Sequence, residues 1–321
     1  MIEKLSIKNF KSIKHLELDC KKINLFIGEP NTGKSNILET LGILSVINYG
    51  RIEDFVRFER MNNLFYDENL DAGIEIRVDD MILELKFEQG HFKCVHRDKD
   101  VEHQFFDYDY DGKGSTSALR ETPPVKFYRF AVRTDFPEKE SDFLLPPSGA
   151  NLLAVLMSHK DLKSTASHIF KPFGFKLAFR PYEDKIEISK LQEDVFIFYP
   201  YSLASETLQR IVFYTTAMDS NKNSVLVFEE PESHSFPYYT KYLGERIAYD
   251  ETNQYFIATH NPYLLLSILE KAHKNSVNVF ITYFRDYQAK VKSLTDEQMS
   301  ELMDYDPFFN LDSFIFEEDN R

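Results

Sequence analysis

Eight residues, Gly28-Glu29-Pro30-Asn31-Thr32-Gly33-Lys34-Ser35, constrain this chain more than any others. They fit the spacing G-x-x-x-x-G-K-[ST], a loop whose backbone N–H groups curl around phosphate oxygens. The flanks agree. Ile23, Leu25, Phe26 and Ile27 form an apolar run that predicts a buried strand. Ile37, Leu38, Leu41, Ile43 and Leu44 recur at helical spacing just beyond. Strand, glycine loop and helix start follow in the order that builds an anion site, and the helix N-terminus adds a favourable partial charge. In that chemistry Lys34 reaches the β- and γ-phosphates and the Ser35 hydroxyl ligates Mg²⁺. Lys34 is expected to face solvent when no nucleotide is bound.

Composition narrows the class. The chain has 321 residues and a net charge of −14, which opposes a broad nucleic-acid-binding surface but not a local basic patch. Cys20 and Cys94 are its two cysteines, too few for a disulfide framework or a metal cluster, so a reducing, cytoplasmic setting is expected. Met1-Ile2-Glu3-Lys4 does not start a signal peptide, and no apolar run approaches the roughly 18 residues a membrane span needs.

Patterning predicts strands within 1–27, where six lysines fall in the first 22 residues. Solvated strand faces account for these lysines; a second reading puts Lys11 near a phosphate or ribose. After the loop helix, a second helix is expected over 51–66, with Phe55, Val56, Phe58 and Leu64 on its buried face. A β-meander follows at about 73–78, 81–88 and 91–96, with turns at Asp79-Asp80 and Gln89-Gly90. Residues 107–124 read as a long exposed loop and 134–142 as a mobile acidic segment, on either side of a strand starting at Val125. Helices near 152–156 and 160–171 precede strands at about 174–180, 185–189 and 194–199. The last third reads as a helix from Ser205 to about Met218, a strand at 224–228 and a helix at 237–248. A strand at 254–258, two more near 277–283 and 288–293, and a helix at 296–304 complete it.

Two of these strands end in chemistry. Val225-Leu226-Val227-Phe228 runs into Glu229-Glu230-Pro231-Glu232. Hydrolysis of a phosphoanhydride needs a metal anchor, a group that orients water and donors for developing charge. Glu229 is the candidate for the metal side and Glu230 for the base that polarises water. His260 lies just past the strand Gln254–Ala258, where α/β sheets place ligand sites, and a neutral imidazole there could donate to a γ-phosphate. Ser205, at a helix start, is a candidate second anion site.

The order of these motifs resembles the ABC-class ATPase heads of the RecF, SMC and Rad50 type. It is most similar to compact bacterial AAA-family ATPases related to the OLD group. The similarity rests on Leu5 to Ile13, the loop with trailing Asn36, Glu229-Glu230-Pro231-Glu232-Ser233-His234 and Ala258-Thr259-His260-Asn261-Pro262, and it covers nearly the whole chain. It implies an α/β P-loop head with a mixed sheet, an antiparallel β lobe and a helical lobe. The expected core is 1–50 with 195–321, and 51–194 is the insertion. It implies that Gly28 to Asn36 bind ATP, that Ser35 and Glu229 hold Mg²⁺, that Glu230 is the catalytic base and that His260 is the switch histidine. Ser205 and Glu206 correspond to the signature segment, which completes the partner's site in an ATP-dependent homodimer.

Glu229 stands where such families carry Asp, the signature lacks its usual glycine, and the glutamine loop is left unplaced, since Gln89 and Gln104 lie in the insertion without supporting context. No heptad arm and no Toprim-type acid pattern is present; Asp304, Asp306 and Asp312 lack its linking glycine. The expected activity is therefore slow ATP hydrolysis whose output passes to a separate effector, a nuclease or toxin in phage defence. An ATP-gated scaffold with negligible turnover is the second reading, and an ATPase that grips DNA ends is the third.

Overall fold

The computed structural model describes residues 1–98, 101–117, 124–304, 308 and 311–316. Asp306, and 118–123 of the expected long loop, lie outside them. The first strands, β1 (Lys4–Phe10) and β2 (Ile13–Asp19), form a hairpin; β3 (Ile23–Gly28) leads into the glycine loop and α1 (Lys34–Tyr49) leaves it. Next come α2 (Ile52–Phe55), β4 (Ile74–Val78), β5 (Met81–Glu88), β6 (His91–Asp98), β7 (Val101–Tyr108), β8 (Gly114–Thr116) and β9 (Val125–Tyr128). The middle holds α3 (Leu152–Ser158), α4 (Lys160–Phe170), β10 (Lys176–Arg180), β11 (Lys185–Gln192) and β12 (Val195–Pro200). Then follow α5 (Glu206–Ser220), β13 (Val225–Glu229), α6 (Pro237–Tyr249), β14 (Gln254–Ala258) and α7 (Pro262–Lys271). The chain continues through β15 (Val277–Arg285), β16 (Gln288–Ser293), α8 (Asp296–Asp304) and α9 (Leu311–Phe316).

Three sheets result. A six-stranded sheet of order β16-β15-β3-β14-β13-β9 is parallel except for β16. A seven-stranded antiparallel sheet has the order β2-β1-β4-β5-β6-β7-β8, and β10-β11-β12 form a small antiparallel sheet. The expected mixed sheet and antiparallel lobe are both present. The residue bounds of core and insertion do not follow the sheets: β1 and β2 belong to the antiparallel one and β9 to the parallel one.

The central strands read as unbroken apolar runs because both faces of their sheet are covered. Along β3, Phe26 points into one hydrophobic cluster, while Ile23, Leu25 and Ile27 point into another. The first cluster joins the sheet to α1 and the antiparallel lobe; the second joins it to α5, α6 and α7. Helix α1 is therefore buried on most sides, and even Glu39, Thr40 and Ser45 are fully enclosed.

The helix expected over 51–66 does not form. Only α2 and a 3₁₀ turn at Met61–Leu64 do. Asp54 accepts the Arg51 N–H, and Asn63 accepts those of Glu59 and Arg60. Such local side-chain acceptors compete with helical hydrogen bonds. The expected apolar face still packs: Phe55, Val56 and Leu64 are buried. The segment 134–142 has no regular element, but Phe136 is buried and its N–H donates to the Asp184 carbonyl. Within the expected loop 107–124, β8 pairs back onto β7.

Candidate functional site

Parallel pairing builds the site. Phe26 of β3 lies beside Ala258 of β14, and Ala258 lies beside Glu229 of β13. These residues form one row across three strands, so the segments leaving each strand emerge together at the carboxyl edge of the sheet. Ligand sites of open α/β sheets lie at this edge. Residues 28–35, 229–230 and 259–260 meet there although some 200 positions separate them in sequence.

The glycine loop has the backbone its function demands. Gly28, Asn31 and Gly33 have φ of 146°, 62° and 100°. At Gly33 a Cβ would lie 2.6 Å from the Ala289 side chain, so only glycine fits. No side chain caps α1, which leaves its first-turn N–H groups without intrahelical partners. Thr32 is held by the Glu29 carbonyl at 2.8 Å and lies 2.6 Å from the Thr282 hydroxyl. Asn36 donates to the Ser12 hydroxyl at 2.8 Å, tying the β1–β2 turn to the loop. Glu29, Pro30 and Asn31 are exposed at the tip, and Ser35 is half-buried.

Lys34 departs from expectation. It is 5% exposed, not solvent-facing. Its Nζ donates to the carbonyls of Gly28 at 2.8 Å and Glu29 at 2.7 Å, so the side chain folds back on its own loop. Burial pulls its pKa down to about 8, against the opposing charges of Glu230 and Glu29.

Glu229 ends β13 beside the loop. Its Oε2 accepts Arg129 Nε at 3.0 Å and Nη2 at 2.8 Å, and its Oε1 lies 3.5 Å from Arg57 Nη2. Burial works against its charge, but Arg129, the nearby Ser35 hydroxyl and Arg57 hold its carboxyl below the ordinary range. Behind it, fully buried Glu39 of α1 takes Arg57 Nε at 2.6 Å and the ammonium of Lys11. Lys11 also donates to the Arg57 carbonyl. Its ammonium is thus engaged by Glu39 and the Arg57 carbonyl rather than by any residue of Gly28–Ser35. Glu39→Ala would strand these cations. It is expected to cost about 3 kcal/mol, at the low end for a broken buried pair because Arg57 is half-exposed; urea unfolding measures this.

Glu230 takes a left-handed backbone, φ 43°, rare for a residue with a Cβ. Its N–H donates to the Ala258 carbonyl at 2.9 Å and its Oε2 accepts the Ser233 hydroxyl at 3.0 Å. Its Oε1 lies 3.3 Å from His260 Nε2. Burial and nearby Lys34 lower the His260 pKa, and Glu230 opposes them. Lys34, Glu230 and His260 thus act on one another electrostatically at one spot.

Ser205 and Glu206 stand apart. Ser205 is exposed at the start of α5, and its hydroxyl makes no cap bond. Glu206 bonds Arg210 and, at 3.1 Å, His234. None of their described hydrogen bonds or ion pairs reaches Gly28–Ser35. Gln89 and Gln104 lie at the β5–β6 turn and on β7, within the antiparallel lobe. Sequence reasoning passed over Arg57, Arg129 and Glu39. Glu39 had a signal: a carboxylate between Leu38 and Leu41, on a helix otherwise apolar at these positions.

Among solved structures this chain is similar to two SMC heads. One, an SMC head bound to the C-winged helix domain of ScpA, is 15% identical, covers 92% of this chain and 99% of its own, and has a TM-score of 0.54. The other, an SMC head with an extended coiled coil bound to the C-terminal domain of ScpA, derives from Pyrococcus furiosus. It is 13% identical over 94% of this chain and 98% of its own, with a TM-score of 0.54. The fold is that of these SMC heads. A family model described as the AAA ATPase domain matches residues 1–163, and the chain belongs to that family of ATP-binding ATPases. No curated protein matches it. No helix among the described residues is long and apolar enough to cross a membrane.

Proposed function

We propose that this chain binds ATP with Mg²⁺, hydrolyses it slowly and uses the bound state to pair two copies, an event read by a separate effector protein. The convergence of Lys34, Glu230 and His260 at one edge of the parallel sheet carries this reading. Gly28 to Asn36 cradle the phosphates through their amides and Lys34. Among the described residues, no group of three or more His, Cys, Asp or Glu could cage a metal. One hydroxyl near one carboxylate, Ser35 and Glu229, is instead the sparse oxygen set that suits Mg²⁺ shared with substrate phosphates. Bound there, the metal would offset charge on the β- and γ-phosphate oxygens. Glu230 accepts a proton from the attacking water as the bond from the γ-phosphorus to its bridging oxygen breaks. His260 orients that water and the phosphoryl oxygens.

Pairing is supported by the exposed start of α5. Ser205 and Thr207 line an open pocket with Phe173 and Phe236, and Leu203 beside it is 73% exposed. An effector that docks on the head has a precedent in the ScpA domains bound to both SMC heads. The likeness to OLD-related ATPases supports a nuclease or toxin in phage defence as that effector. One observation favours the ATP-gated scaffold instead: Arg129 and Arg57 already engage Glu229. The test is the sedimentation of purified chain with Mg²⁺ and ATP, followed by phosphate release. A dimer that forms with ATP and decays as phosphate appears is expected. A monomer under saturating ATP would refute pairing.

A further inference from the structure

Two turns leave the sheet side by side, one carrying Glu230 and the other His260, and something must hold them in register once strand pairing stops at Glu229 and Ala258. Two residues without a role so far lie between these turns. Glu232 is 4% exposed and Thr259 is fully buried. The Thr259 N–H donates to the Phe26 carbonyl at 3.1 Å, which fixes it to the strand that enters the glycine loop. Its hydroxyl accepts the Asn261 N–H at 3.0 Å and lies 2.5 Å from Glu232 Oε1. An amide can only donate, so the hydroxyl proton is free to point at Glu232. The second carboxyl oxygen, Oε2, has no hydrogen-bond partner.

We propose that Glu232 is a positioning residue: the bond from the Thr259 hydroxyl to its buried carboxyl clamps the Glu230 turn to the His260 turn and so sets the 3.3 Å approach of those two side chains. The proposal rests on the roles given to Glu230 and His260 above. The strained backbone of Glu230 strengthens it, since a left-handed residue with a Cβ keeps its conformation only where its surroundings enforce it. Pro231, between Glu230 and Glu232, has its own φ fixed by its ring. Restraining Glu232 therefore restrains Glu230. Burial, the largest influence, raises the Glu232 carboxyl to about 7. Glutamine is thus a close stand-in for its uncharged form and keeps an acceptor oxygen for Thr259.

The test reads the distance rather than turnover. Thr259→Val keeps the shape and removes the hydroxyl. The His260 imidazole is titrated by NMR on the full chain without nucleotide, its resonance assigned by loss in His260→Gln. Glu230 raises the His260 pKa, so a looser turn must lower it. Thr259→Val is expected to lower it by roughly half a unit to one unit, in the same direction as Glu230→Gln, and Thr259→Ser to restore it. In parallel, kcat should fall about tenfold in Thr259→Val with KM for ATP little changed, as displacement of a catalytic group predicts. An unmoved His260 titration in a folded Thr259→Val chain overturns the clamp. If that variant does not fold, Glu232→Leu, which has no acceptor oxygen for the Thr259 hydroxyl, takes its place, with a downward shift smaller than that of Glu230→Gln expected and no shift overturning the proposal. The two readings separate cleanly: undiminished turnover in Glu230→Gln would remove the catalytic assignment but leave the titration result intact.

Discussion

Glu230→Gln is expected to lower ATP turnover by about a hundredfold or more, the range lost with a general base, while ATP binding survives. Glutamine has nearly the same shape, so the left-handed turn, the N–H bond to Ala258 and the side-chain bond from Ser233 can all remain. What goes is the capacity to take a proton from the attacking water. The ATP-bound dimer should then accumulate rather than decay. Phosphate release and nucleotide retention on a filter, measured side by side, check both halves. If wild type and variant are equally silent while both retain ATP, the chain is a gated scaffold and the enzyme reading fails.

Lys34→Ala should abolish binding at accessible ATP concentrations. Two charge-assisted hydrogen bonds to phosphate oxygens, each worth about 1.5–3 kcal/mol, correspond to a loss of roughly a hundredfold to ten-thousandfold in affinity. Stability should change little, for a reason the sequence did not supply. The lysine is enclosed, and its pKa near 8 records that its charge is poorly solvated there. Alanine deprives the Gly28 and Glu29 carbonyls of a donor but also removes that desolvated charge, and the two effects oppose each other. The melting temperature without nucleotide should stay close to wild type, and the rise that Mg²⁺ and ATP give wild type should vanish. An undiminished rise in Lys34→Ala would refute the role of Lys34.

Where the sequence was legible, burial on both sides made it so. The β3, β13 and β14 segments are apolar without interruption because helices or a second sheet cover each face, and each was placed within a residue or two. The meander was legible for the opposite reason: alternation in β4 and β5 tracks one covered face. The stretch 51–66 was not, because its apolar spacing mimics a helix while Asp54 and Asn63 draw the backbone into short turns. Lys11 and Lys34 show a different limit. Type and spacing mark a lysine as a phosphate binder, but only packing shows that Glu39 claims one ammonium and loop carbonyls the other. Arg129 was invisible for a similar reason. Nothing in Val125-Lys126-Phe127-Tyr128-Arg129 says that β9 will lie against β13 and bring a guanidinium onto Glu229.

The pairing of Phe26 with Ala258 and of Ala258 with Glu229 also bears on how the chain comes to be active. Everything up to residue 163, the portion that carries the family likeness, includes the whole glycine loop and neither Glu230 nor His260. A nascent chain of that length also lacks β14 and β15, the two strands that β3 pairs with, so the strand that leads into the loop has no sheet to join. Competence arrives only when the last third has been synthesised and has slotted its strands between and beside the earliest ones. Such distant parallel pairing is slow to form, so the seating of the glycine loop and the arrival of the Glu230 and His260 turns are one late event, set by the order of the strands.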